Sequence, residues 1–170
     1  MYDAIFSILK KYIKPSTLFK VMFNISPMYR RSCGRLYFVS DDLHLVKVKI
    51  PLSYRNKNYV GSMFGGSLFS ATDPIYMIQL MQILGNDYVV WDKATNIRFR
   101  KPAYAHAYVD FEFSADEIST IKKLVQDNNE TDFVKNLLIT DGKGAVFTEL
   151  EKTLYISSKE HYKKKKALRK

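Results

Sequence analysis

One stretch constrains the fold more than any other. Phe64-Gly65-Gly66 opens a run that is apolar on almost every side as far as Gly85, and a single carboxylate, Asp73, lies inside it. Glycines leading into a helix leave backbone N–H groups without intrahelical acceptors, at the positive end of the helix dipole. A helix that is apolar all round must be wrapped by other structure. The stretch is therefore read as a core helix over about 66–84 and as the candidate active site. Pro74 kinks such a helix by removing the hydrogen bond to Ser70. Thr72-Asp73-Pro74 also fits a second helix start, with Thr72 or Asp73 as cap and Pro74 in the first turn.

What surrounds this helix is strand-like. Residues 2–14 form an amphipathic pattern with Ile5, Leu9, Tyr12 and Ile13 on one face. Pro15 punctuates it, and Ser16 can cap a short second helix carrying Leu18, Phe19, Met22 and Phe23. From Gly34 the period becomes two. Leu36 and Phe38 alternate, Asp41-Asp42 turns, and Val46, Val48 and Ile50 alternate with Lys47 and Lys49, which predicts a hairpin with one wet face. Beyond Gly85 come a long strand over about 88–100 and another through Ala107, Val109, Phe111 and Phe113. Ser114-Ala115-Asp116-Glu117 is a capping box that starts a helix over about 115–127. Two last strands, about 132–140 and 144–156, flank Asp141-Gly142, a strong hairpin signal.

Hairpins with few crossovers predict an antiparallel sheet. The fold class expected is α+β, a curled antiparallel β-sheet wrapped around a long central helix. An N-terminal helical extension occupies 1–32, the main domain 33–157 and a basic tail 158–170.

At 170 residues and 46% hydrophobic content, the chain has enough apolar material for one sizeable core. Cys33 is alone, which excludes an intramolecular disulfide. The first residues lack the basic start of a secretory signal, and no stretch reaches the roughly 20 apolar residues of a membrane span. A soluble cytoplasmic protein is expected. Of the net charge of +10, residues 159–170 carry +6, so basicity is largely a tail property. The tail reads first as a solvated helix end or frayed terminus. It could also hold anionic lipid at a membrane surface, or nucleic acid. The body carries no nucleic-acid motif, and nucleic acid is not the expected partner.

Asn58, Gly65, Gly66 and Asp73, at their spacing, resemble the signature of hotdog-fold acyl-CoA thioesterases of the phenylacetate-pathway type. In that family an Asn lies six residues before a His-Gly-Gly, and an acid lies seven residues after the second Gly. The His position is Phe64 here, and Phe cannot replace its hydrogen bonds. The phrases Asn58-Tyr59-Val60-Gly61, Thr72-Asp73-Pro74 and Val90-Trp91-Asp92-Lys93 are similar to an uncharacterised group of stand-alone hotdog domains in that superfamily. The resemblance implies a hotdog fold over about 34–156, a homodimer or dimer of dimers, and a site whose Asn and Asp come from different subunits.

It also implies hydrolysis of an acyl-CoA or similar thioester without cofactor or metal. Asp73 would be the general base on a water, or the nucleophile. Gly65, with Gly66, would donate backbone N–H groups to the oxyanion and let substrate approach closely. Asn58 would orient the water or the carbonyl, and Phe64 would line an acyl pocket.

Each residue also has a plainer reading. Gly65-Gly66 can be a tight turn, and Asn58 a turn residue. Arg98, Arg100 and Lys101 cluster at a strand end and could meet the phosphates of coenzyme A, or simply be solvated. Asp92 and Lys93 could pair with each other. His44, His106 and His161 show no ligand spacing, so no metal site is expected. Cys33 has no His near it in sequence and reads as an incidental thiol. A chain of this kind that has lost turnover would be a binder of an acyl or lipid-like ligand.

Overall fold

The computed structural model describes residues 13–168. The helix expected over 2–14 falls almost wholly outside them. Helix α1 (Pro15–Ile25) starts on the proline, whose fixed φ suits the first helical position, and buries Leu18, Phe19 and Phe23. Pro27 then opens a second short helix, α2 (Pro27–Arg31), which buries Tyr29.

The expected hairpin follows as β1 (Arg35–Val39) and β2 (Leu45–Ile50). Val46, Val48 and Ile50 point inward and are fully buried. The alternation expected of Leu36 and Phe38 fails. A bulge between them breaks the register, Leu36 is buried and Phe38 is exposed.

The core helix is in two pieces, α3 (Gly65–Ser70) and α4 (Ile75–Leu84), separated by Ala71–Pro74 with a cis Asp73–Pro74 peptide. The continuous kinked helix over 66–84 is thereby corrected; a second helix does start here, but at Ile75, with Pro74 at the cap position and no side-chain cap from Thr72 or Asp73. Both pieces remain the centre of the core. Leu68, Ala71, Ile75, Tyr76 and Leu80 are buried against the inner faces of the sheet.

The remaining strands are β3 (Tyr88–Phe99), β4 (Ala107–Glu112), β5 (Glu130–Thr140) and β6 (Val146–Ser158). Helix α5 (Ala115–Asn128) joins β4 to β5, and helix α6 (Lys159–Ala167) follows β6. The capping box forms as read. Ser114 Oγ accepts from Glu117 N, and Glu117 Oε2 accepts from Ser114 N. Part of the basic tail is therefore a helix. Ser158 caps it, and Lys165 holds it to Glu130 at 2.6 Å.

The six strands form one antiparallel sheet in the order β1-β2-β4-β5-β6-β3. Its two edges differ. At β1, the Asn24 side chain of α1 accepts from Leu36 N and donates to Leu36 O, both at 2.9 Å, which covers part of that edge. The other edge, β3, is twelve residues long and pairs along one side only, with β6. Its register shifts between Asp92 and Ala94, a bulge that changes which residues face inward. Between β4 and β5 the sheet is nearly parted, with Tyr108 and Thr140 as the one register pair.

Candidate functional site

Asp73 sits in the break between α3 and α4, and its side chain is 51% exposed. The break has its own hydrogen bonds. Thr72 Oγ1 donates to Phe69 O at 2.7 Å, and Ile75 N donates to Thr72 O at 3.3 Å. Below it, Tyr29 of α2 donates its hydroxyl to Ala71 O at 2.9 Å, so α2 supports the turn that carries Asp73. Burial drives the Tyr29 phenol far above its ordinary range.

Lys152 of β6 faces Asp73 from the sheet. Its side chain is 0% exposed, and its Nζ lies 3.6 Å from Asp73 Oδ1 and 3.2 Å from Asp92 Oδ2. Asp92, on β3, is 18% exposed. Burial pushes its carboxyl up to about 6; the charge of Lys152 opposes this, and hydrogen bonding with Asp73 adds to it. Its other oxygen, Oδ1, is buried without a hydrogen-bond partner among the described residues. A carboxylate oxygen in that position favours the protonated form.

The anticipated pairing of Asp92 with Lys93 does not occur. Neighbours on a strand point to opposite faces, so Lys93 reaches Asp132 on β5 instead, while Asp92 turns inward to Lys152. Lys152 was not among the candidate residues read from sequence. The signal was present: Thr148, Leu150, Lys152, Leu154 and Ile156 share one period-two face, and Lys152 is the charged member of an apolar row.

Gly65 and Gly66 open α3, one helix away from Asp73. A Cβ on Gly65 would stand 2.9 Å from the ring of Phe99, and one on Gly66 would stand 2.2 Å from the ring of Phe64. The pair is thus a seat for two aromatic rings as well as a helix start. Phe64 itself is 59% exposed and donates its N–H to Asn56 O at 2.7 Å.

Asn58 is engaged inside its own loop. Its Oδ1 accepts from Val60 N and Ser62 N, and its Nδ2 donates to Ser62 Oγ. Arg100 pairs with Glu149 at 2.5 Å, whereas Arg98 and Lys101 are exposed at the same strand end.

Two surface concavities lie elsewhere. The larger, about 1050 Å³, follows the parted β4–β5 seam past Tyr76, Tyr108 and Lys135. The smaller, about 380 Å³, is lined by Pro27, Arg30, Arg31, Cys33 and Arg55. Asp73, Asp92 and Lys152 line neither. Among the described residues no three His, Cys, Asp or Glu side chains gather as metal ligands, and no helix is long and apolar enough to cross a membrane.

A six-stranded antiparallel sheet curled on a central helix defines a hotdog-fold, thioesterase-like structure. Residues 16–156 match the family described as a domain of unknown function, DUF4442, and the chain belongs to that family. The structure is similar to a probable thioesterase of Pseudomonas aeruginosa, with a TM-score of 0.74 at 21% identity, over 84% of this chain and 95% of that one. It is also similar to a thioesterase of Haemophilus influenzae, with a TM-score of 0.60 at 11% identity, over 84% and 90% of the two chains. A thioesterase of Staphylococcus aureus matches with a TM-score of 0.52 at 13% identity, over 73% and 93%. No curated protein matches the chain.

Proposed function

We propose that the chain is a thioesterase that hydrolyses an acyl-CoA or related thioester, working as a homodimer or dimer of dimers. The observation that carries this reading is the half-exposed Asp73 carboxylate, held beside a fully buried lysine at the break of the core helix. Asp73 takes a proton from water as its oxygen adds to the thioester carbonyl. The oxyanion that forms accepts a hydrogen bond from Gly65 N–H. The C–S bond then breaks, and the thiolate leaves with the proton that Asp73 held. In the alternative, Asp73 attacks the carbonyl itself, the C–S bond breaks as the thiolate leaves, and water hydrolyses the mixed anhydride, freeing Asp73 and the acid while its proton passes to the thiolate. Gly66 keeps the approach open and Phe64 lines the acyl side. Arg98, Arg100 and Lys101 are the candidate partners for coenzyme A phosphates, with Arg100 already shared with Glu149. Asn58 shapes the loop that leads into the glycines.

Two observations favour a site made by two chains. Gly65 opens α3, and Asp73 lies in the turn beyond its far end. A partner chain's Asp73 would not have to reach back along α3 to a carbonyl held at Gly65. The long one-sided edge of β3, with exposed Trp91 and Phe99, together with exposed Phe64 just before α3 and Phe69 within it, offers a second copy both backbone and apolar surface.

The test is release of free thiol from short, long and aromatic acyl-CoA esters, beside Asp73→Asn. The variant should lose about 100-fold or more of the wild-type rate. No turnover on any ester, or full activity in the variant, overturns the reading. The exposed Phe64 ring, seated over Gly66 where the resembling family has His, favours a second reading as a non-catalytic acyl or lipid binder. Steady thiol release abolished by Asp73→Asn removes it.

A further inference from the structure

Lys152 is the only charged side chain that is buried among the described residues. It occupies a position on β6 flanked by Leu150 and Leu154, where an apolar residue would pack as well. Buried ion pairs add little to stability compared with such a residue. The lysine is held rigidly, since β6 pairs with β5 on one side and β3 on the other. Asp92 is fixed on β3 just before the bulge. Asp73, by contrast, belongs to a four-residue turn between two helices.

The groups facing Nζ are few. Asp92 and Asp73 are the two carboxyls in reach. Across the strands, Thr95 and Lys135 are the register partners of Lys152. Lys135 turns away to Glu117 at 2.6 Å and lies over the Phe113 ring. Lys152 is thereby left to the carboxyl pair.

We propose that Lys152, anchored by Asp92, is the positioning residue of Asp73, holding Oδ1 so that Oδ2 is presented to substrate. The proposal rests on the thioesterase reading for its kinetic consequences. Ionised Asp92 shares Lys152 with Asp73. Once Asp92 is protonated, its hold on the Lys152 ammonium weakens, and Asp73 is less firmly positioned. Activity should therefore rise with pH as Asp92 loses its proton, near 6.

The experiment combines kinetics with carbon-13 carboxyl titration. Lys152→Met and Asp92→Asn should each lower kcat about 100-fold with KM within about twofold, and Lys152→Arg should recover part of the loss. The acid limb of kcat/KM near pH 6 should move to higher pH in Lys152→Met and vanish in Asp92→Asn. A folded Lys152→Met chain with wild-type kcat and an unmoved limb overturns the proposal. If that variant does not fold, Asp92→Asn and the titration decide.

In the wild-type chain the titration needs no turnover. Asp92 should titrate near 6, and its midpoint should move to higher pH in Lys152→Met. An Asp92 that titrates in the ordinary range, unmoved by Lys152→Met, overturns the pairing. If the wild-type chain hydrolyses no thioester, the enzyme reading fails, and the titration still decides whether Lys152 couples the two carboxyls.

Discussion

The Tyr29 hydroxyl donates a hydrogen bond to the Ala71 carbonyl at 2.9 Å, across 42 positions of sequence. That carbonyl belongs to the end of α3, where the helix stops and its acceptors need partners from elsewhere. The tyrosine comes from α2, and its ring packs edge-on against Phe23 of α1. Helices α1 and α2 are therefore structurally continuous with the turn that carries Asp73.

Tyr29→Phe removes the hydroxyl and leaves a buried carbonyl without its donor. The expected cost is about 1–3 kcal/mol of stability. Because the orphaned group lies two residues from Asp73, a fall in thioester turnover should accompany the stability loss. Urea unfolding and the thiol-release assay on one preparation check both. A variant with unchanged midpoint and rate would show that the hydroxyl contributes nothing to the turn.

Asp92 sets a pH dependence of stability. In the folded chain its carboxyl holds a proton up to about pH 6, because burial outweighs the nearby lysine. In the unfolded chain the proton is lost near the ordinary value of about 4. The folded state binds more protons between those values, so this group's contribution falls as pH rises from about 4 to 6. Two units correspond to at most about 3 kcal/mol. Glu117 acts in the opposite sense. Burial pushes its carboxyl up, but hydrogen bonds from Lys135 and Ser114 outweigh that and hold it below its usual range. The wild type should therefore be compared with Asp92→Asn in urea at pH 4 and pH 7. The difference between the two proteins should move toward the variant at the higher pH. A difference that does not change with pH removes Asp92 as the source.

Much of the scaffold was legible because local chemistry and tertiary demand agree. Ser114 and Glu117 announce their helix by reciprocal capping, and Asp141-Gly142 announces its hairpin. Val46, Val48 and Ile50 declare an inward face by alternation. The helix break at Ala71–Pro74 was legible only as one of two readings, since Pro74 can kink a helix or begin one. Phe38 was misread because a bulge is a tertiary choice that shifts the parity of everything beyond it. Lys93 and Asp92 were misread for the same reason, since their partners lie on other strands. Lys152 was legible as an odd member of an apolar row, but what it serves depends on β3 and the α3–α4 turn meeting at β6.

Gly65→Ala tests the seat under Phe99. The added methyl would lie 2.9 Å from the ring, so the ring must move or the helix start must shift. Overpacking of this kind costs about 1–3 kcal/mol. Phe99 is partly exposed and can swing outward, so the smaller end of that range is expected. Gly65→Ala combined with Phe99→Ala should be less destabilised than the sum of the two single variants, a coupling read by a double-mutant cycle. Strict additivity would separate the two residues.

The division of the site between two chains has a direct test. Asp73→Asn disables the base and Gly65→Ala disturbs the oxyanion side. If both groups belong to one chain's site, mixing the two variants yields no activity beyond their sum. If each site takes Asp73 from one chain and Gly65 from its partner, a mixed dimer holds one site with both defects and one intact site. Random exchange makes about half of the dimers mixed, so about a quarter of wild-type activity should return. Partial unfolding and refolding of the mixture allows the exchange, and thiol release measures the outcome. Recovery near that fraction places the partner chain in the active site. No recovery, with exchange confirmed by tagged chains, returns Gly65 and Asp73 to one chain's site.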